Sequence, residues 1–348
     1  MNNFSYSTKE LTQFVENVHM VKQDLSVKKI NKIGLTGASG FLGLHLISNL
    51  LNDPSIIKIK CFIRSKETFS KRKKLFNLKF SEDKLEFYFD FNEENTKDLD
   101  LFVHSAAQVH NIKKLSGLFS DNVLLTKKVV DTVQCPIVYI STLSVYASSN
   151  IQGVHTPVPC NISDEHIIYG GYAQSKWLGE YLMEKRKDTK IIRLGLLTPS
   201  TVEPQLQENE FLSLFLNLTK DFPFYPENFE DSFIDLSPID LVSKEIIKSF
   251  SNDEKYIHIA NKQGTSIKKF IEACNLTATS QEDWNKHLNS LKKTEKLLMS
   301  FAYFKSSSLK DYHNYFNIDL FQTTGHNWSG SINLINTNNY IQNIYEKV

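Results

Sequence analysis

In the stretch GGYAQSKWLGEYL, residues 170–182, Tyr172 and Lys176 stand four apart behind two glycines. On a helix that spacing puts a phenol and an ammonium on one face, about one turn apart. A phenol with the ordinary pKa of about 10 exchanges protons poorly at neutral pH, but a neighbouring ammonium favours the phenolate and readies it for acid–base work. The plain alternative is an exposed i,i+4 pair, which stabilises a helix by only about 0.5 kcal/mol. The rest of the chain has to decide between them.

A second group of candidates sits in YISTLSVYA, where Ser141, Thr142 and Ser144 crowd the end of an apolar run. A third is GLTGASGFLGLHL, in which Gly37, Gly40 and Gly43 follow the pattern GxxGxxG between an apolar strand-like run and a leucine-rich helical one. Glycines there let the backbone turn tightly and approach a pyrophosphate, whose charge meets the free N–H groups and the positive dipole end of the helix. A dinucleotide is the expected ligand, held by the segment Thr36 to Gly43, including Ser39, Phe41 and Leu42. The next apolar run ends in CFIRSK. Arg64 stands where a site preferring NAD would carry an acidic residue against the ribose 2′-hydroxyl; an arginine suits a 2′-phosphate, so the expected cofactor is NADPH. Arg72, Lys73 and Lys74 either reinforce that contact or form a solvated helix face. Asp90 closes the following run, placed to meet the adenine, and Ala106 and Ala107 are small enough to let a cofactor pass.

Seven short β-rich runs must position these groups: KKINKIGLTG, KIKCFIR, KLEFYFDF, LDLFVHSAA, CPIVYISTLSVYA, KIIRLGLLTP and KYIHIA. Helical patterns separate them, among them FLGLHLISNLL and NVLLTKKVVDTV. This alternation predicts an α/β protein with a doubly wound parallel (Rossmann) sheet and a smaller, mostly helical substrate-binding lobe. Residues 31–200 are read as the NADP-binding domain, with 233–262 returning to it. Residues 201–232 and 263–348 are assigned to the lobe. It includes the helical patterns FLSLFLNLTK, SIKKFIEACN and EDWNKHLNSLKKTEKLLMSFAYF and a Pro-punctuated loop in DFPFYPENF. Residues 1–30 are read as a helical extension that either caps the sheet or contacts a partner.

Composition narrows the classes. The 348 residues are 41% hydrophobic and 23% charged with a net charge of +1, which argues against a general nucleic-acid binder. Cys61, Cys135, Cys160 and Cys274 lie far apart with no metal-ligand spacing, so no metal is expected and the thiols read as buried or indifferent in a reducing compartment. The N-terminus shows no apolar signal core, and no run reaches the ~18 apolar residues of a spanning helix. A cytoplasmic protein is expected, and the Asn-x-Ser/Thr triplets at Asn161, Asn217 and Asn275 count as chance.

TGASGFLG, YISTLSVYA and the YxxxK of YAQSK together resemble the extended short-chain dehydrogenase/reductase superfamily. The resemblance implies that Tyr172 is the acid/base, that Lys176 lowers its pKa and holds the nicotinamide ribose, and that Thr142 bonds the substrate oxygen. It completes a cofactor-binding set of Thr36, Gly37, Ser39, Gly40, Phe41, Leu42, Gly43, Arg64, Asp90, Phe91, Ala106, Ala107, Asn122 and Lys176. Over residues 31 to 260 the chain is more narrowly similar to the thioester reductases, the reductase domains that end carboxylic acid reductases and nonribosomal peptide synthetases, with relatives among fatty acyl reductases. The Gly-Gly before Tyr172, the Trp after Lys176 and DWNKHLNSL carry this likeness. It implies NADPH-dependent reduction of an acyl thioester to an aldehyde, taken on to the alcohol by some members, with the substrate delivered by a phosphopantetheinyl carrier protein in trans or as a coenzyme A thioester. Lys66 to Lys74, or Lys292, Lys293 and Lys296, could steer an acidic carrier, or serve solubility alone. Two other readings share these residues: an extended reductase or epimerase acting on a nucleotide sugar or small ketone, and a non-catalytic NADPH-binding protein. A lobe rich in Phe, Leu and Tyr and poor in arginine fits an acyl chain better than a nucleotide diphosphate.

Overall fold

Seven strands form one parallel sheet: β1 (Lys32–Thr36), β2 (Lys58–Phe62), β3 (Leu85–Tyr88), β4 (Leu101–His104), β5 (Ile137–Thr142), β6 (Thr189–Leu194) and β7 (Tyr256–Ile259). Their order across the sheet is 3-2-1-4-5-6-7. The chain therefore starts in the middle, winds outward to β3, returns beside β1 at β4 and winds the other way, which leaves a crevice where the direction reverses. The computed structural model describes residues 5–15, 29–110, 113–147, 167–206, 211–227, 233–234, 236–261, 265–290 and 337–347.

All seven β-rich runs of the sequence are strands of this sheet, and the reason is burial. Ile33, Leu35, Ile191, Ile192 and Ile257 are 0% exposed, as expected where a parallel sheet is covered on both faces. Five helices supply most of the cover: α1 (Phe41–Leu50), α2 (Lys66–Leu75), α3 (Leu125–Thr132), α4 (Gly171–Met183) and α5 (Ile239–Lys248). Leu44 and Ile47 of α1 join Val242 and Ile246 of α5 in one core, while Val129 and Val130 of α3 join Trp177 and Leu178 of α4 in the other. Each such side chain contributes about 1.5–3 kcal/mol relative to exposure. The ends of the strands, where the candidate residues lie, are thus fixed by two continuous cores.

Four local expectations need correction. The run CPIVYISTLSVYA stops being a strand at Thr142, and Ser144–Ala147 is a turn of helix whose first N–H donates to Thr142 Oγ1 at 3.2 Å. The helix predicted from Asn122 begins earlier, as a wider π-helical segment, Phe119–Leu124, feeding α3. The loop DFPFYPENF holds a short strand, Phe224–Pro226, paired in parallel with Thr277–Thr279. The N-terminal extension contributes a strand as well as a helix. Ser5–Ser7 pairs antiparallel with Ile167–Tyr169, then Thr8–Thr12 is helical, begun by a reciprocal capping box between Ser7 and Glu10. Leu11 and Val15 are buried in the same core as α4.

Longer described helices outside the sheet's main cover are Phe211–Asp221, Ile267–Ala273, Gln281–Ser290 and Thr337–Tyr345. Leu197–Thr198, just past the carboxyl end of β6, pairs with Ser237–Pro238, and the Tyr340 hydroxyl lies 2.7 Å from both Thr198 Oγ1 and the Pro199 carbonyl. The last helix is therefore tied to the carboxyl end of the sheet. Trp284 is fully buried, its ring 6.1 Å from that of Phe222. The expected helical pattern beyond Ser290, the Lys292, Lys293 and Lys296 group, and Cys160 lie outside the described residues. Cys61, Cys135 and Cys274 are buried free thiols whose pKa values burial pushes up to about 12. Among the described residues no helix is long and apolar enough to cross a membrane.

Candidate active site

At the carboxyl end of β1 the chain turns through Thr36–Gly43 into α1. Gly37 has φ +72°, and a Cβ there would sit 2.8 Å from the Ala106 amide nitrogen. Only glycine lets this turn close against Ala106, which with Ala107 follows β4. Gly40 begins α1 with no side chain capping the helix, while its own N–H donates to the Gly37 carbonyl at 2.8 Å. The first N–H groups of α1 and its positive dipole end are thus left to an outside anion. Phe41 and Leu42 are buried in the core, so their backbones alone can face a ligand. A pyrophosphate fits this cradle.

The residues predicted around the adenosine end are distributed unevenly. Arg64 is exposed just past β2, and Arg72 of α2 reaches the glycine turn after β1, its guanidinium donating to the Ser39 carbonyl at 3.4 Å. Lys73 turns away, to the Phe80 carbonyl at 2.8 Å and Glu82 at 3.1 Å, and Lys66 also pairs with Glu82. The basic run thus offers Arg72 to the loop and commits Lys73 elsewhere. Asp90 is exposed and accepts from Asn92 and Asn95 at 2.7 and 3.1 Å. Phe91 packs its ring against Phe62 and Phe102, so its side chain belongs to the core.

The second half of the site is built by α4 against β5. Gly170, at φ +81°, turns the chain into the helix, and a Cβ on Gly171 would lie 2.4 Å from the Lys113 carbonyl oxygen. That close seat brings the first turn, with the half-buried Tyr172, against the loop that follows β4. Gly171→Ala should force the two apart and destabilise the protein by about 1–3 kcal/mol, as overpacking usually does. Denaturant midpoints would measure this, and an unchanged midpoint would contradict the close seat.

One turn on, Lys176 is 3% exposed; its Nζ donates to the Ile140 carbonyl at 2.5 Å and lies 4.1 Å from the centre of the Tyr139 ring. Burial pulls its pKa down to about 7, against the opposing pull of the Glu180 carboxylate. Two residues past Ile140, Thr142 is partly exposed and its hydroxyl lies 3.0 Å from that of Ser144. Strand alternation separates the hydroxyls: Ser141 points the other way and donates to Glu180 at 2.5 Å. That contact commits Ser141 to the buried side and leaves Thr142 at the open end of β5.

Several residues that hold this arrangement were not singled out from sequence. Glu180, 0% exposed, accepts from Ser141 and makes a two-pronged ion pair with Arg193 of β6, at 3.0 and 2.7 Å, while Arg193 also meets His258 of β7 at 3.1 Å. An arginine inside the apolar run KIIRLGLL, and a glutamate one turn beyond Lys176, were the available signals. Asn122, predicted as a cofactor contact, is buried in the π-helix; it accepts from Gln108 N at 2.7 Å and donates to Gln108 O and Ser175 Oγ at 3.1 and 2.9 Å. Its amide braces the loop after β4.

Strand order, glycine turn and uncapped helix together define a nicotinamide-dinucleotide domain. Residues 35–86 and 80–246 match the family model described as male sterility protein, so the chain belongs to that family, in the thioester reductase group of the extended short-chain dehydrogenase/reductase superfamily. Among curated relatives, it is 26% identical over 253 residues to the hybrid PKS-NRPS synthetase LUC5 of a Fusarium species, which is 68% of this chain and 6% of that protein. It is 24% identical over 283 residues to the L-2-aminoadipate reductase of Saccharomyces cerevisiae, 68% of this chain and 20% of that enzyme. The chain thus spans a small part of these relatives. The terminal R domain of the myxalamid PKS-NRPS pathway shares the fold, with a TM-score of 0.69 at 19% identity over 98% of this chain and 97% of that one.

Proposed function

We propose that this protein reduces an acyl thioester to an aldehyde with NADPH. The observation that carries the reading is the seating of α4 on β5: Lys176 Nζ on the Ile140 carbonyl, with Thr142 two residues on and Tyr172 one turn back. This seating supports a site in which a phenol, an ammonium and a hydroxyl work together near the carboxyl ends of the strands, where open α/β sheets bind their ligands. NADPH, when bound, supplies the hydride. Thr36 to Gly43 would hold its pyrophosphate, Arg64 its 2′-phosphate, the loop after β4 its adenosine and central portion, and Lys176 its nicotinamide ribose.

The chain's own groups then manage charge. As the carbonyl carbon of the thioester gains hydride its oxygen becomes anionic, and hydroxyls at Thr142 and Tyr172 stabilise that oxygen only as charge develops. Tyr172 gives it a proton, assisted by the Lys176 ammonium. Cleavage of the carbon–sulfur bond then releases thiol and leaves aldehyde. Residues 201–232 and 263–348 are proposed to cover the acyl group, a role that fits the buried Leu212, Leu214 and Leu216 and the attachment of this region beyond the carboxyl end of β6. A phosphopantetheinyl carrier acting in trans would deliver the thioester. The test is NADPH oxidation with acyl-pantetheine as substrate: thiol release in step with loss of NADPH is expected. Turnover of nucleotide sugars in its place would overturn the reading.

Cofactor choice gives a further expected result. Arg72 reaches the Thr36–Gly43 loop and Arg64 stands exposed just past β2, so NADPH should bind at least about tenfold tighter than NADH, a gap of ~1.4 kcal/mol that one charge-assisted contact supplies. Arg64→Ala should remove most of that preference in a titration of both cofactors. Equal affinities in the unsubstituted protein would rule it out.

A further inference from the structure

A line of hydrogen bonds, joined at Thr126 by a side-chain bond with Tyr139, runs from the dinucleotide loop to the first turn of α4. Thr36 Oγ1 lies 2.7 Å from His104 Nδ1, His104 Nε2 lies 3.0 Å from Thr126 Oγ1, and Thr126 donates to the Asn122 carbonyl at 2.6 Å. From the same residue, Asn122 Nδ2 donates to Ser175 Oγ at 2.9 Å, and Ser175 donates to the carbonyl of Tyr172 at 2.8 Å. Four of the five residues ahead of Tyr172 in this line are at most 2% exposed, and Thr36 is 3% exposed.

The directions are fixed by proton counting. Thr126 has one hydroxyl hydrogen and gives it to Asn122, so it faces His104 as an acceptor. His104 must therefore carry its proton on Nε2 and accept at Nδ1 from Thr36, whose oxygen in turn accepts from the Ala106 N–H at 3.3 Å. Burial, aided by the Lys176 charge, holds the His104 pKa down at about 3, so the neutral ring that this pattern needs is kept. Every donor thus points from the cofactor loop towards Tyr172, an arrangement in which successive bonds polarise one another. The line also crosses the π-helical segment, where the wider turn holds Asn122 between the loop after β4 and Ser175.

The geometry points to His104, Thr126 and Asn122 as positioning residues that couple occupancy of the Thr36–Gly43 loop to the order of the Tyr172 turn. They touch neither substrate nor cofactor; they act by making a phosphate bound at one end stiffen the helix at the other. The inference rests on the reading of Thr36–Gly43 as the phosphate loop.

Hydrogen exchange of the full chain with and without 2′,5′-ADP tests it. This probe carries the adenosine phosphates and lacks the nicotinamide ribose, so it cannot reach Lys176 directly. In the unsubstituted protein and in Thr126→Ser, which keeps the hydroxyl, the probe should slow exchange both in the loop and at the amides of Gln174 to Lys176. About fivefold is expected at the helix, the lower end of coupling between two sites. Thr126→Val should keep loop protection and lose the helix response, and Ser175→Ala, which cuts the line at its other end, should do the same. A helix response that survives in both variants would overturn the coupling, as would loop protection with no helix response in the unsubstituted protein. Absence of loop protection would instead refute the phosphate loop, and the coupling with it.

Discussion

Tyr172→Phe should leave the fold and the affinity for NADPH nearly unchanged and lower turnover by about 10²- to 10⁴-fold, the usual worth of a positioned acid/base group. Only one oxygen is removed, and the backbone carbonyl of Tyr172 keeps its bond from Ser175. Lys176→Ala should do more, because it also takes away the group expected to hold the ribose and empties a buried seat on Ile140 and Tyr139. Thr142→Ala should cost less than either, since Ser144 Oγ lies 3.0 Å from the lost hydroxyl. Steady-state rates with separate cofactor titrations check all three. Near-normal turnover by Tyr172→Phe would reject its role.

The second large effect concerns stability. Glu180→Ala should cost about 3–5 kcal/mol, because it leaves the Arg193 guanidinium buried without its carboxylate. Both side chains are 0% exposed and the pair joins α4 to β6. Replacing both, Glu180→Met with Arg193→Met, should recover much of that loss, since a packed apolar pair can match a buried ion pair. Chemical denaturation of the single and double variants measures the difference. A single variant as stable as the parent would show that the pair does not hold the helix.

The sheet was legible because its signal is redundant. Each strand is a run such as IVYIST or TKIIRL that only a doubly covered parallel sheet accommodates, and Gly37 and Gly40 mark where the first crossover begins. The helix that carries Tyr172 and Lys176 was legible for the same kind of reason: their spacing, the glycines before them and the strand preceding them agree. What escaped depends on partners distant in sequence. Nothing local in YSTKELTQF announces that Ser5–Ser7 will pair with residues more than 150 positions away. Within the π-helical turn at Phe119–Leu124, Asn122 is held by Gln108 and Ser175 together, contacts that periodicity does not encode. Phe91, which the resemblance puts in the cofactor-binding set, has its ring packed against those of Phe62 and Phe102, contacts that its place in the sequence does not announce. His104 and Thr126 look like ordinary interior residues until the hydrogen bonds between them are counted.

Reduction of a thioester makes one demand that no neighbouring chemistry shares: the acyl carbon must first gain hydride and then lose its sulfur. A single turnover with NADPH deuterated at the transferring position, an acyl-pantetheine substrate and trapping of the product measures this directly. The account predicts one thiol released per NADPH consumed and deuterium at the aldehyde carbon. NADPH that binds and stays reduced, or is consumed without thiol release and without deuterium in an aldehyde, would contradict it.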